Sequence, residues 1–154
     1  MIRWLKRREA AQSLVEFSMM LPVFLILLFG VFDFGMGLRA YISVAQATRE
    51  GARFASIGNP AGTFTSGGTG DCNGTTKTNT VGKVCSTMGG LNLANVSSVS
   101  VTYPNGNTPG QSVRVSAQYD YHYITPLRRL VTFFSAGALG STINVSSTTD
   151  MRLE

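Results

Sequence analysis

The sequence is poor in charge, histidine and cysteine, and these shortages exclude several classes of protein. Charged residues make up 14 % of the 154 residues, against about 25 % in typical globular domains. One histidine and two cysteines cannot complete a zinc shell. Asp120 and His122 are two residues apart on a predicted strand, so both side chains point the same way. No nucleophile motif accompanies them, so a surface pair is favoured over a catalytic one. We therefore expect no enzyme, no metal, no cofactor and no small-molecule substrate.

Positive charge is concentrated at the N-terminus. Of the formal net charge of +5, the first eleven residues carry +3, because four basic residues are opposed there only by Glu9. The basic residues are Arg3, Lys6, Arg7 and Arg8. The remaining +2 is too little for the dense basic face that binds nucleic acid. We expect no nucleic-acid partner and interpret residues 1–11 as a basic cytoplasmic leader.

A long apolar run follows the leader. Residues 17–32 contain no charge, but sixteen residues fall short of the roughly 20 that span a bilayer as a helix. Residues 13–15 or 35–38 must therefore contribute, which gives a predicted transmembrane segment of about 14–38. Asp33 is expected just outside the hydrocarbon, capping the span with Arg39. The basic leader predicts a cytoplasmic N-terminus and an exported remainder, in a single-pass protein of the inner membrane.

A cleavable secretory signal is the first alternative. Its apolar region is usually about 7–15 residues long and precedes an A-x-A site. Here the run is longer, Glu16 stands at its start and no clear A-x-A follows. These features favour a retained anchor.

The helical pattern continues beyond the predicted span. Apolar residues recur at spacings of three, four or seven as far as Ala55, and the Gly58-Asn59-Pro60 sequence then predicts the helix end. A helix over residues 12–57 is far longer than a membrane requires. Its outer half is therefore expected to rest on its own domain or on neighbouring subunits.

The exported remainder divides into a loop and a sheet. Residues 58–90 are rich in Gly and Thr and are predicted to be a long loop, clipped by a Cys72–Cys85 disulfide; two free thiols are the alternative. Residues 91–154 show a period of two, clearest from Val113 to Tyr123. An amphipathic helix is expected within 126–140. The predicted fold class is α+β, with a long N-terminal transmembrane helix extending into an exported domain with a small antiparallel sheet.

A series of short motifs resembles the TadE family, the pseudopilin-like proteins of tight-adherence pilus systems. The motifs are Val15-Glu16-Phe17, which opens the leucine-rich helix, the Asp33-Phe34-Gly35 step, and the AQATREGARFA segment of residues 45–55. The C-terminal Asp150-Met151-Arg152-Leu153-Glu154 is also similar to the family. The order and spacing of these motifs carry the resemblance, which covers about a third of the chain closely.

The resemblance implies a site at the start of the helix. In type IV pilin-like proteins a glutamate stands at position five after cleavage by a prepilin peptidase, which here places the cut between Ala11 and Gln12. The usual residue before the cut is glycine, and Ala11 departs from that pattern. The family implies that Glu16, followed by Phe17, pairs with the new α-amino group of a neighbouring subunit and fixes the register between subunits. A solvated Glu16 at the headgroup level is the alternative.

Together these features predict a TadE-like pseudopilin, a structural or assembly component of a tight-adherence pilus or related secretion system. The expected partners are membrane lipid, other pilin or pseudopilin subunits, inner-membrane pilus machinery and, if the leader is cut, a prepilin peptidase. The alternative is an uncleaved, membrane-tethered exported domain that acts as a binding or assembly factor.

Overall fold

One long helix, α1, runs through the first third of the chain in a computed structural model. The structure describes residues 2–57, 69–70, 72, 79–106, 108–126, 129, 131–132 and 140–154, and only the backbone of residues 2–10 and 69–70. Helix α1 extends from Ile2 to Ser56, so it begins about ten residues earlier than the sequence pattern predicts and ends where expected. Pro22 lies inside it, where it removes one backbone donor that a membrane helix tolerates losing.

The remaining elements form a short helix and a sheet. Strand β1 is Thr69–Gly70, helix α2 is Thr80–Thr87, a 3₁₀ turn covers Leu93–Asn95, and strands β2, β3 and β4 are Val96–Thr102, Ser112–His122 and Thr142–Arg152. The strand order is β1-β2-β3-β4, and every neighbouring pair is antiparallel. A long helix followed by a small antiparallel sheet is the α+β architecture predicted from the sequence.

The chain divides into two compact units. One contains Met1–Gly35 and Tyr123–Ser141, and the other contains Met36–His122 and Thr142–Glu154. The second unit therefore holds the sheet and residues 36–56 of α1, which we call its outer half. The first unit holds the rest of α1, including residues 11–35, which we call its apolar half, and the β3–β4 connection.

The core of the second unit lies between α1 and the sheet. Alternate residues of β3 from Val113 to Tyr121 are buried, as their spacing predicts, and their neighbours are at least partly exposed. Helix α1 contributes small buried residues, namely Ala40, Val44, Ala47, Thr48, Ala52 and Ala55. A Cβ added at Gly51 would overlap the Val84 side chain and lie 3.5 Å from Val115 Cγ1. Small residues thus let the helix backbone approach the sheet and α2 closely.

Helix α2 corrects the prediction that residues 58–90 are a loop throughout. Asn79 caps it by accepting a hydrogen bond from Gly82 N at 2.7 Å, which satisfies one of the free donors of the first turn. Val84 and Cys85 are buried on its inner side. The amphipathic helix predicted within 126–140 lies largely outside the described residues, as do the residues that were predicted to end α1.

Candidate functional site

The apolar half of α1, residues 11–35, exposes most of its large side chains. Phe17, Met20 and Val31 are 64 %, 72 % and 75 % exposed, and a continuous apolar surface of this kind marks an interaction site or a membrane span. Helix α1 is also the one helix among the described residues that is long and apolar enough to cross a membrane. The long apolar helix that the sequence predicts is therefore present, with the length and composition of a membrane span.

Glu16 lies at the beginning of this apolar surface, one helical turn after Gln12. The Gln12 amide donates a hydrogen bond from Nε2 to Glu16 Oε1 at 3.2 Å, and both side chains are exposed. The amide is neutral, so it supplies a donor without compensating the charge of the carboxylate. Ala11 and Gln12 lie within the continuous helix α1, and Phe17 points away from any core.

Asp33 lies at the end of the apolar run and is buried. It is 4 % exposed, and it is the one buried residue among residues 11–35. Its position just outside the hydrocarbon stays a prediction. Its Oδ1 accepts hydrogen bonds from Ile124 N at 3.2 Å and from Thr125 N at 3.4 Å, and the Thr125 hydroxyl donates to Oδ2. Hydrogen-bond donors of this kind are what allow a carboxyl group to be buried.

The burial of Asp33 lengthens the segment of α1 that is suited to crossing a membrane. Asp33 is the only charged residue between Phe17 and Leu38, so the exposed surface of that stretch carries no charge. Its 22 residues extend about 33 Å at 1.5 Å per residue, which matches a hydrocarbon core of about 30 Å. The sixteen-residue run that was short by itself is thereby part of a segment of full membrane length.

The predicted disulfide is also present. Cys72 and Cys85 are joined with an S–S distance of 2.12 Å and a Cα–Cα distance of 5.5 Å. Both cysteines are buried in the core of the sheet-containing unit. The bond ties the chain before α2 to the inner side of that helix.

The outer face of the sheet is polar and internally paired. Arg114 donates two hydrogen bonds of 2.8 Å to the Asp150 carboxylate. These hydrogen bonds are the main reason that the pKa of Asp150 is lowered. Hydrogen bonds from Ser97 and Asn144 lower the pKa of Asp120. These are pairs that stabilise strand register.

His122 does not form a catalytic pair with Asp120. Its Nδ1 lies 3.1 Å from the backbone oxygen of Asp120, whereas the Asp120 carboxylate binds Ser97 and Asn144. The described residues also contain no group of His, Cys, Asp and Glu side chains that could hold a metal ion.

Comparison with known proteins gives a family match that lies on α1, outside the sheet. Residues 11–53 match the family model described as TadE-like protein, which confirms the predicted resemblance. The match includes Glu16 and Asp33 and ends three residues before the end of α1. No curated protein and no solved structure is significantly similar to the chain.

Proposed function

We propose that the chain is a TadE-like pseudopilin, a structural component of a tight-adherence pilus or related secretion system that assembles through the apolar half of α1. The family match over residues 11–53 supports this, since it lies on the helix and suggests a pilus-related component. The observation that carries the proposal is the combination of an uncovered apolar helix surface with an exposed carboxylate at its inner end.

Glu16 is the residue that we assign to assembly. A charged side chain costs about 2.5–3.5 kcal/mol at the centre of a bilayer and less near its edge. In this chain the hydrogen bond from Gln12 offers only a neutral donor. The α-amino group of a neighbouring subunit would compensate the charge and would set the axial register between two helices.

That amino group would come from cleavage between Ala11 and Gln12. The bond lies inside α1, and cleavage therefore requires the first turns of the helix to open. Opening costs least near a helix end, where fraying is nearly free. Removal of the leader would leave Gln12 as the first residue and Glu16 one turn away.

The proposed orientation follows from the basic leader. A cytoplasmic N-terminus places the sheet-containing unit in the periplasm or at the cell surface, consistent with its disulfide. The partners would be membrane lipid, other pilin-like subunits, the inner-membrane pilus machinery and a prepilin peptidase.

The substitution Glu16→Val tests the assembly role. We expect the variant to insert into membranes normally, because it removes a charge from the span, but to lose cross-linking to partner subunits and pilus formation. Met20→Val is the matched control, since Met20 is 72 % exposed on the same apolar surface and carries no charge. Wild-type assembly by the Glu16→Val variant would contradict the proposal.

The mass of the mature chain separates this proposal from the uncleaved alternative. A chain purified from membranes that begins at Gln12 supports a processed pseudopilin. A chain that retains Met1 supports a tethered exported domain whose helix is an anchor only.

A further inference from the structure

Ile124 is an exposed isoleucine fixed beside the apolar half of α1. It is 61 % exposed, although its backbone N–H is bound to the buried Asp33 carboxyl group at 3.2 Å. Asp33 is flanked on α1 by Phe32 and Phe34, which are 58 % and 74 % exposed. All of these residues belong to the same compact unit. An isoleucine at this position therefore adds to the apolar surface of the helix.

The position of Asp33 along α1 sets the depth of this isoleucine. The segment whose exposed surface is uncharged runs from Phe17 to Leu38. Asp33 precedes its last residue by five residues, or about 7.5 Å of helix. Groups that lie in the membrane interface are buried by about 5–10 Å at the boundary of headgroups and acyl chains. The backbone that is bonded to Asp33 lies at that depth when the segment spans the bilayer.

The polar groups of this backbone are suited to such a depth. Non-helical backbone at membrane depth needs its polar groups satisfied by protein or by water, and Asp33 accepts the N–H groups of Ile124 and Thr125 together with the Thr125 hydroxyl. Pro126 has no N–H to satisfy. Arg129, three residues further on, is exposed and can pair with lipid phosphate while its stem lies along apolar surface.

We propose that residues 124–126 and Arg129 form a second membrane contact, which binds the phospholipid interface of the outer leaflet and is anchored to α1 by Asp33. Ile124 enters the boundary of headgroups and acyl chains, and Arg129 lies at the phosphates. The contact rests on the proposed membrane span but not on cleavage or pilus assembly. Its effect is to fix the depth of residues 124–126 in the outer leaflet.

Depth-dependent quenching in vesicles tests this contact on the full chain. The native cysteines form a disulfide, so Ile124→Cys supplies a single thiol for an environment-sensitive fluorophore. The chain is reconstituted in phosphatidylethanolamine and phosphatidylglycerol vesicles that carry a nitroxide near the top or near the end of the acyl chain. Phe34→Cys is the control within the span, and Gln118→Cys, exposed on the polar sheet face, is the aqueous control.

We expect the label at residue 124 to be quenched severalfold more than the label at residue 118, and more by the shallow nitroxide than by the deep one. Equal, weak quenching at residues 124 and 118 with strong quenching at residue 34 would overturn the contact and leave the pseudopilin proposal intact. Absence of quenching at residue 34 as well would overturn the span, and with it both proposals.

Variants at Asp33 test the anchor separately. Asp33→Ala removes the acceptors of Ile124 N and Thr125 N, so quenching at residue 124 is expected to fall severalfold while quenching at residue 34 is unchanged. Asp33→Asn keeps one carbonyl oxygen for the two N–H groups and is expected to retain most of the shallow quenching. Unchanged quenching at residue 124 in Asp33→Ala would show that Asp33 is not the anchor.

Discussion

The two halves of α1 have the same backbone and opposite surfaces. In residues 11–35 most of the large side chains are exposed and the one buried residue is Asp33, whereas in residues 36–56 the buried residues are mostly small ones. The difference lies in what each half packs against, because the outer half has a sheet beside it and the apolar half has a surface suited to lipid. Apolar character alone therefore does not locate a core.

The small residues of the outer half determine how closely α1 approaches its sheet. Thr48 is fully buried, and its hydroxyl lies 3.1 Å from both Ser147 Oγ and Thr149 Oγ1 on β4. Gly51 leaves no space for a side chain against Val84. The outer half is thus fitted to one partner in one register, whereas in residues 11–35 the buried contact is that of Asp33 with Ile124 and Thr125.

Removal of the disulfide is expected to give the largest change and to confine it to the outer region. Cys72 and Cys85 are 13 positions apart, and closing a loop of about this length stabilises by about 3 kcal/mol. We expect the double Ser variant to lose about that much stability in the sheet, while the apolar half of α1 stays protected in the membrane. Hydrogen exchange of β3 and α1 amides in vesicles measures both regions.

The same bond predicts the behaviour of the thiols. Protein taken from the exported compartment is expected to resist thiol reagents until it is reduced. Immediate labelling of the native protein, or an equal loss of protection in the two regions after the double substitution, would contradict this account of the bond.

A glycine-to-leucine change in each half of α1 is expected to affect stability differently. Gly51→Leu forces a side chain into Val84 and is expected to destabilise the sheet-containing unit by about 1–3 kcal/mol, the usual cost of overpacking. Gly35 has nothing within 4 Å of an added Cβ, so Gly35→Leu is expected to be neutral or to stabilise the helix by up to about 1 kcal/mol. Urea unfolding of the two variants in detergent, followed by tyrosine fluorescence, gives the difference. Equal destabilisation would show that the halves are packed alike.

Most of the architecture could be predicted from local sequence. The uncharged run, the alternation of β3 and the Cys72–Cys85 spacing are patterns that depend on neighbouring residues, and each corresponds to an observed element. Helix α2 was missed because it is short and lies in a stretch rich in Gly and Thr. Its signal was Asn79 before a turn with Val81, Val84 and Cys85, a capping residue followed by helical spacing.

The role of Asp33 could not be read from local sequence. Its hydrogen-bond donors are 91 and 92 positions away along the chain, and no periodicity links positions that far apart. From local context an aspartate at the end of an apolar run is expected in the headgroup region, as predicted. The buried position depends on the path of the chain after β3, which is a property of the tertiary fold.

The smallest expected effect concerns the charged pairs on the outer face of the sheet. The hydrogen bonds from Arg114 lower the pKa of Asp150 in the folded state. The stabilisation by this pair is therefore fully present above the unfolded-state pKa of about 4 and is lost as the pH falls through the lower folded-state value. Because both groups are at the surface, the change is expected to be slight.

The stability of the Asp150→Asn variant, compared with that of the wild type at the same pH, measures this contribution. The variant is expected to be slightly less stable than the wild type at neutral pH, and the difference is expected to vanish in acid, where wild-type Asp150 is also protonated. Urea midpoints of the sheet at neutral and acidic pH supply the measurement. A difference that is unchanged in acid would mean that Asp150 acts through packing and not through its charge. Since the exposed surface from Phe17 to Leu38 is uncharged, the acid-sensitive difference is expected in the sheet, with the apolar half of α1 unaffected.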